Sequence, residues 1–385
     1  MRDLIRGLTR PALRLLRRDE RGVIAVIVGL LIGGVLLGLG AMVIDVGQLF
    51  SERATLQNGA DAAAIAVSKS CIYTTCTASG ALSTAVTYAG ENSPDNVAGV
   101  SKVCGTGVLG ACPASTGLMT DCPAAPTGLP AGASYVDVHT STQTAGGGTV
   151  IVPAFAKALL GNGSYAGTTV LACAQAEWGG APSDTLSTAF TISACEWSAA
   201  TTNGTVFAQP PPYPPSTTPS STLDRQIKLR STGTGTGCTS YPAPDDAVSK
   251  FGWVAETGGC TEQISGTGVT TYGVYNSGAS ASPDCNTPLF DDAQDKTLIS
   301  VPVYTSVTGS GATAVYNLLG IAAFVVTGYN IPGSTFNTYS DWLKSTNSCT
   351  GTTYCIDGYF VRADFTGGGT PGPTNLGLYE INLTG

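Results

Sequence analysis

The chain contains 23 consecutive residues, 22–44, without a charged side chain, between Arg21 and Asp45. As an α-helix with a rise of ~1.5 Å per residue, this run would be about 34 Å long, which exceeds a hydrocarbon core of about 30 Å. The sequence therefore predicts a transmembrane helix in a lipid bilayer. A cleaved secretory signal is the alternative, but its apolar region usually has about 7 to 15 residues, so a retained signal-anchor is favoured.

Charge is distributed unevenly on the two sides of this run. The first 21 residues carry seven arginines and three acidic residues, a net charge of +4, and the whole chain carries −8, so the remainder carries −12. Basic residues flanking a span tend to remain in the cytoplasm. We therefore predict a single-pass protein of the cell membrane with a cytoplasmic N-terminus and an extracytoplasmic C-terminal ectodomain. Because the chain as a whole carries a net charge of −8, it is not expected to bind nucleic acid through a basic surface.

All twelve cysteines follow the apolar run, from Cys71 to Cys355. This placement indicates an oxidising exterior and a disulfide-rich ectodomain. No Cys-x-x-Cys spacing of the zinc type occurs in the chain, so disulfides are favoured over a metal site. The short-range candidates for pairing are Cys71 with Cys76, Cys173 with Cys195, and Cys349 with Cys355.

Glycines follow one side of the predicted span. At 100° per residue, five of them fall within about 40° of one another. These helix-packing glycines are Gly22, Gly29, Gly33, Gly40 and Gly47. In lipid, small residues let helix backbones approach closely, so this side is predicted to contact other membrane helices. The alternative is that membrane helices are simply rich in glycine.

The helical pattern continues beyond Asp45, where apolar residues follow a second stripe along the helix. Five side chains fall within about 60° on the side opposite the glycines: Leu49, Leu56, Ala60, Ala63 and Val67. One helix is therefore predicted over 22–70. Its first half would lie in the membrane, and its second half would lie on a sheet.

A set of residues in this helix resembles the N-terminal segment of TadE/TadG-like proteins of the Tad (Flp) pilus-assembly family. The set comprises the sequence DERG at 19–22, the apolar span, and then Asp45, Gly47, Arg53, Leu56, Gln57, Asn58, Ala60 and Asp61. The resemblance covers about residues 19–70. It implies a membrane or cell-surface component of pilus biogenesis with no cofactor and no catalysis, whose partners are other Tad or pilin-like membrane helices. It also implies a strand at 135–140, a short Phe-containing helix at 153–160 and a strand at 168–177.

Two features expected of related proteins are missing from the sequence. Pilin-like precursors carry a glutamate five residues after the cleaved glycine, and here that position is Ile27. Longer members of the family add a metal-binding domain with an Asp-x-Ser-x-Ser motif, which this chain does not contain. We therefore expect neither pilin-type cleavage at Gly22 nor a metal-dependent adhesion site.

The remainder of the chain is predicted to be mainly antiparallel β-structure, which gives an α+β fold. A second helix is expected at 80–92, and β-branched or aromatic runs predict strands at 188–197, 225–231, 297–307, 320–331, 358–365 and 376–383. The run at 320–331 is apolar on both faces and is the expected central strand.

These patterns divide the chain into four parts. The predicted divisions are a basic cytoplasmic tail (1–21), the transmembrane and extended helix (22–70), a pilin-like α/β part (71–184) and a β-rich part (185–385). The proline-rich stretch at 209–222 is interpreted as a surface loop, with an interdomain linker as the alternative.

No motif in the sequence indicates catalysis. There is no Gly-x-Ser-x-Gly, P-loop or His-Glu-x-x-His pattern, and the single histidine, His139, is expected on the solvent side of a strand. A group of four aspartates at 284–295 lacks the spacing of an EF-hand. We therefore predict no catalytic, cofactor or metal site and no small-molecule substrate. A glycan hydrolase of the envelope that uses a carboxylate pair, or a non-pilus adhesin, are the alternatives to a pilus-assembly role.

Overall fold

The computed structural model describes residues 10–117, 121–152, 155, 157, 167–211, 223–228, 251–254, 259–265, 271–273, 283–308, 315–331, 354–365, 370–372 and 374–384. Its first element is helix α1, Arg10–Tyr73, with 64 residues. The helix begins twelve residues before the predicted start at 22. It ends close to the predicted position, just after Cys71. The long apolar helix followed by a mostly β ectodomain confirms the predicted α+β fold.

Helix α1 has an apolar, exposed first half and a packed second half. From Gly22 onwards it is long and apolar enough to cross a membrane, and none of its most apolar stretch is buried by the described part of the protein. Ala41 and Asp45 are the first buried side chains. Beyond them, the predicted apolar stripe is buried at Leu56, Ala60 and Val67.

Helix α2, Ala78–Glu91, folds back along α1. Its N-cap is Thr77, whose hydroxyl oxygen accepts a hydrogen bond from the Gly80 amide, which satisfies one of the free donors of a helix start. The two helices touch at Gly59, where a Cβ would lie 3.1 Å from the carbonyl oxygen of Ala89. Glycine at this position therefore permits the close approach of the helices.

The described strands are, in chain order, β1 Gly99–Gly105, β2 Ser134–Ser141, β3 Leu171–Gly180, β4 Ser183–Leu186, β5 Phe190–Ser193, β6 Arg225–Lys228, β7 Phe251–Trp253, β8 Glu262–Ser265, β9 Thr271–Gly273, β10 Leu298–Thr308, β11 Val315–Asn330, β12 Cys355–Val361, β13 Ala363–Phe365 and β14 Leu378–Leu383. Helix α3, Ala194–Thr201, follows β5, and helix α4, Asn286–Asp295, precedes β10. The strands form two larger sheets and the β4–β8 pair.

The first sheet has the order β1-β2-β3-β14-β13 and carries α1 and α2 on one face. Its core contains apolar side chains of both helices, together with Val136, Val138 and Trp178 from the strands. Strands at 135–140 and 168–177 were implied by the family resemblance, and β2 and β3 lie there. In the segment 153–160, the structure describes only Phe155 and Lys157, both helical.

The second sheet has the order β6-β12-β11-β10-β5-β7, with β9 also paired to β11. The 16-residue strand β11 is internal in this sheet, in agreement with the prediction for 320–331. It is buried on both faces, with Phe324 and Val325 fully covered. Pairing is antiparallel except between β5 and β10 and between β13 and β14.

The predicted strand at 188–197 is wrong in its second half. Strand β5 ends at Ser193, and the chain continues as helix α3. The Ser193 hydroxyl oxygen accepts a hydrogen bond from the amide of Glu196. Serine followed three residues later by glutamate is a known helix-start pattern, which the β-branched run before it obscured.

The C-terminal strand returns to the first sheet. Strand β12 belongs to the second sheet, and β13, which follows Arg362 directly, belongs to the first. Strand β14 then pairs with β3, from Tyr379 opposite Gly180 to Leu383 opposite Ala176. Strand pairing therefore crosses the predicted division at 184/185, and the proline-rich stretch at 209–222 lies outside the described residues beyond 211.

The disulfides agree with the prediction in part. The predicted bond between Cys71 and Cys76 is present. The other bonds with both partners described are Cys104–Cys112, Cys122–Cys173 and Cys260–Cys285. The predicted pairing of Cys173 with Cys195 is wrong, because the segment after β1 places Cys122 beside strand β3, where it bonds Cys173. Cys195 and Cys355 are each disulfide-bonded, and Cys349 lies outside the described residues.

Candidate assembly site on the N-terminal helix

No residue that the structure describes outside α1 packs against the five helix-packing glycines. A Cβ added at any of them would have no neighbouring atom within 4 Å, apart from the helix's own adjacent backbone. Gly34 and Gly38, which lie off this stripe, are equally clear of neighbours. From Gly22 up to Ala41, the described side chains of the apolar run are therefore not buried and are available for lipid or for other helices.

Asp45 connects the end of the apolar run to the ectodomain. Its Oδ1 atom accepts a hydrogen bond from the backbone amide of Phe155, with an N···O distance of 3.3 Å, and its side chain is buried. Phe155 belongs to the short helical segment that the family resemblance implied. The aspartate at this motif position therefore holds a distant segment against the helix at the point where the charge-free run ends.

Two further motif residues attach α1 to the first sheet. The side-chain amide of Gln57 donates to the carbonyl oxygen of Cys173 on β3 and to Oδ1 of Asp61, each at 2.9 Å. The carbonyl oxygen of Leu56 accepts from the Thr140 hydroxyl at 3.0 Å. These hydrogen bonds, one to the Leu56 carbonyl oxygen and one from the Gln57 side chain, fix the position of α1 along the strands of the sheet.

The remaining motif residues have different environments. Ala60 is fully buried in the interface between helix and sheet, where a larger side chain would separate the two layers. Arg53 lines a hollow of about 310 Å³ together with Phe50 and Leu171. Gly47 and Asn58 are exposed.

The end of α1 is fastened by the segment that connects the two sheets. The Lys69 ammonium lies 2.5 Å from Oδ2 of Asp364, and the Tyr73 hydroxyl donates to Oδ1 of the same carboxylate at 2.8 Å. The guanidinium of Arg362 donates to the carbonyl oxygen of Ile72 at 2.9 Å and lies over the ring of Phe207. Burial and the Asp364 carboxylate raise the pKa of Tyr73, so it remains a neutral donor.

His139 lies on the opposite face of the first sheet from the helices, and it is half-buried rather than on the solvent side as predicted. Its Nε2 atom is 3.6 Å from Sγ of Cys122. The ligand atoms of Cys122, His139 and Cys173 all lie within 4.8 Å of one another. Because the two sulfur atoms are joined in a disulfide, neither is a thiolate that could bind a metal ion.

The environment of His139 makes a prediction about pH. Burial, and then the nearby Lys102 ammonium, lower the pKa of His139, against an opposing effect of Asp121. A histidine whose pKa is lower in the folded than in the unfolded state loses stability as the pH falls through its unfolded value of about 6.5. When the pH is lowered from 7.5 to 5, we expect the free energy of unfolding to fall less in His139→Gln than in the unsubstituted chain.

Urea unfolding of both proteins at each pH measures this difference. Carboxyl groups also titrate in the lower part of this range, but they are identical in the two chains, so the difference between the proteins isolates the histidine. Because His139 is the single histidine of the chain, a parallel pH dependence of the two proteins would contradict the prediction.

Buried carboxylates in the ectodomain have structural partners. Asp137 on β2 accepts from the side-chain amide of Gln175 at 2.9 Å, and Asp292 on α4 accepts from the Thr188 hydroxyl at 2.6 Å. Burial raises the pKa of both aspartates. Asp291 and Asp295, which the sequence grouped with Asp292, are exposed, so these three carboxylates do not converge on one site.

Several contacts of this site were not predicted from the sequence. Phe155, Thr140, Arg362 and Asp364 each touch α1 from segments 84 or more residues away. The hint was the pair of charged residues, Arg362 and Asp364, within the otherwise apolar and aromatic run at 358–365. A charge in such a run needs a buried partner, but the pattern does not say which one.

Comparison with protein families identifies one match. Residues 22–70 match the family described as putative Flp pilus-assembly TadE/G-like. This confirms the resemblance found in the N-terminal segment, over about the same residues. Comparisons with curated proteins and with solved structures found no match.

Proposed function

We propose that the chain is a membrane-anchored structural component of a Tad (Flp) type pilus-assembly apparatus. The observation that carries this proposal is the continuity of helix α1. One half is apolar and is not buried by the part of the chain that the structure describes, the other half is fixed to a sheet, and the family match covers both. The family match and the candidate span fit a pilus-assembly membrane component.

The specific role follows from the direction of the helix. We propose that the basic N-terminal segment lies in the cytoplasm and that the disulfide-bonded ectodomain lies outside, because arginines flank the span on one side and the cysteines lie on the other. The helix-packing glycines would contact Tad or pilin-like membrane helices. The ectodomain would be displayed beside them without performing catalysis.

A fusion experiment tests the orientation. Alkaline phosphatase, which is active only outside the cytoplasm, is fused after Gly385, and a cytoplasmic reporter is fused at the same position in a second chain. We expect phosphatase activity and no activity of the cytoplasmic reporter. The reverse pattern would contradict the proposed topology while leaving the membrane span intact.

A pair of glycine substitutions tests helix contact. We expect Gly29→Leu with Gly33→Leu to lower in-membrane crosslinking of the chain to its helical partners, and the number of pili, on the order of tenfold, because close backbone packing is the main source of helix association in lipid. A Cβ at either position has no neighbour within 4 Å among the described residues, so folding of the ectodomain is not expected to change.

Gly34→Leu with Gly38→Leu is the matched control, since these glycines lie in the same span but off the stripe. We expect it to keep most of the crosslinking and the pili. Equal losses in the two double variants would contradict a contact through the glycine stripe. Normal pili after deletion of the whole chain would contradict the assembly role.

A further inference from the structure

Exposed apolar side chains lie on helix α1 and on the ectodomain at the level where the charge-free run ends. Phe50 is 69% exposed and Phe155 is 43% exposed, and Val46 and Leu171 are also exposed. Val46, Phe50 and Leu171 line the hollow of about 310 Å³ beside Arg53. We refer to Val46, Phe50, Phe155 and Leu171 as the membrane-proximal patch. Large apolar side chains grouped on a surface usually mark a contact with another apolar phase or molecule.

The patch lies at the height of the membrane surface. Asp45 is the first charged residue after 23 uncharged ones, and it bonds the amide of Phe155. Ala41, one turn earlier in the apolar run, is also buried by the protein. A segment of the ectodomain therefore reaches the last turn of the span.

The second aromatic residue of the patch lies a short distance further out. Phe50 is five residues after Asp45, which at ~1.5 Å per residue is about 7.5 Å along the helix. The headgroup region adds roughly 5 to 8 Å on each side of the hydrocarbon core. Both phenylalanines therefore fall within the interface between lipid and water, where amphipathic surfaces with aromatic residues are favoured.

The described residues on either side of Phe155 also lie near this level. Ile151 and Thr168 form an antiparallel bridge, and Thr168 lines the same hollow as Phe50. Phe155 itself, between these two residues in the chain, donates its amide to Asp45.

The charges near the patch favour a lipid surface as its occupant. Lys157, two residues after Phe155, is exposed, and Arg53 lines the hollow. At 100° per residue, Glu52 lies about 160° from Phe50 and about 20° from Asp45, and it does not line the hollow. Aromatic and aliphatic side chains next to cationic ones are typical of segments that lie in a headgroup layer with anionic lipids.

We propose that the membrane-proximal patch rests in the extracytoplasmic leaflet of the bilayer, with Phe155 and Phe50 at the boundary between acyl chains and headgroups. This inference rests on the membrane anchoring in the proposed function. It gives the ectodomain a second attachment beside the span. Such a contact fixes the tilt and height of the ectodomain relative to the membrane, and hence the direction in which its sheets are presented to neighbouring subunits.

Site-specific photocrosslinking in the full chain tests this contact. The photoreactive p-benzoyl-phenylalanine replaces Phe155, Phe50, Leu36 or Tyr88 in separate proteins, each reconstituted in nanodiscs of phosphatidylethanolamine and phosphatidylglycerol. Tyr88 is the matched control, because it is an aromatic residue that is also 43% exposed. It lies on α2 next to the contact of Ala89 with Gly59, roughly 21 Å along the helix from Asp45. Leu36 reports on the span itself.

We expect lipid adducts by mass spectrometry at Leu36, Phe155 and Phe50, with yields at the two phenylalanines about tenfold above that at Tyr88. Adducts at Leu36 but not at Phe155 and Phe50 would overturn the patch contact and leave the membrane anchor intact. An absence of adducts at Leu36 would overturn the anchor itself. Crosslinks from Phe155 to a second copy of the chain would overturn the lipid assignment.

A folding control accompanies each protein. The substitutions at Phe155 and Phe50 exchange one phenyl ring for a larger one on exposed positions, and electrophoresis without reducing agent shows whether the disulfides have formed. If Phe155 reacts with lipid and Phe50 does not, the extent of the patch is smaller than proposed, which overturns the assignment of Phe50.

Discussion

Replacement of both Cys122 and Cys173 by alanine is expected to lower the free energy of unfolding of the ectodomain by about 4 kcal/mol. The bond closes a loop with a sequence separation of 51, and the loss of unfolded-state entropy grows with the logarithm of loop length, which gives about 4 kcal/mol for this loop. The disulfide also joins the segment after β1 to strand β3, against which α1 packs. Urea unfolding of the full chain in nanodiscs measures the change.

Cys71→Ala with Cys76→Ala is the matched comparison. That bond has a sequence separation of 5, and the same relation gives about 2 kcal/mol. We therefore expect the variant without the long-range bond to be the less stable of the two. The opposite order would show that strain or residual structure, rather than loop closure, determines the contribution of these bonds.

The second large effect is expected at the contact between α1 and the first sheet. We expect Leu56→Ala to lower the free energy of unfolding by about 3 kcal/mol, because the side chain is 3% exposed in the core of this contact and its removal leaves a cavity. The hydrogen bond between its carbonyl oxygen and Thr140 does not involve the side chain and should remain.

Leu82→Ala is the control for this prediction. Leu82 also lies on a helix, but it is 43% exposed, so the expected loss is within about 0.5 kcal/mol. Hydrogen exchange of the β2 and β3 amides in the full chain measures both effects at the interface itself. Similar losses of protection in the two variants would mean that the second half of α1 does not depend on this core.

The sequence predicted those elements whose formation depends on local pattern. The charge-free run at 22–44 predicts a helix long enough to span a membrane. The apolar stripe beyond Asp45 predicts which side of the helix packs on the sheet. Both faces of strand β11 are covered by other parts of the protein, so apolar residues occur on both of them. This pattern is visible in the sequence at 320–331. The error at 188–197 arose where a strand and a helix adjoin without a loop, so that the β-branched run hid the helix-start pattern at Ser193.

The tertiary partners of the motif residues could not be predicted from local sequence pattern. The resemblance to the family included Asp45 and Gln57, but their partners Phe155 and Cys173 lie 110 and 116 residues away. The pairing of Cys173 was predicted wrongly for the same reason. A cysteine bonds whichever thiol the strands and loops bring beside it, and sequence separation says little about that.

By itself, the sequence determined the helix with its two different halves, the acidic and disulfide-bonded character of the ectodomain, and the family of the first segment. Only the tertiary structure decided that the C-terminal strand completes the first sheet, that Arg362 and Asp364 fasten the end of the helix, and that the segment at Phe155 reaches the last turn of the apolar run. The physical reason is that helix formation and membrane insertion depend on residues a few positions apart, whereas these contacts depend on which surfaces remain to be covered once the sheets have formed.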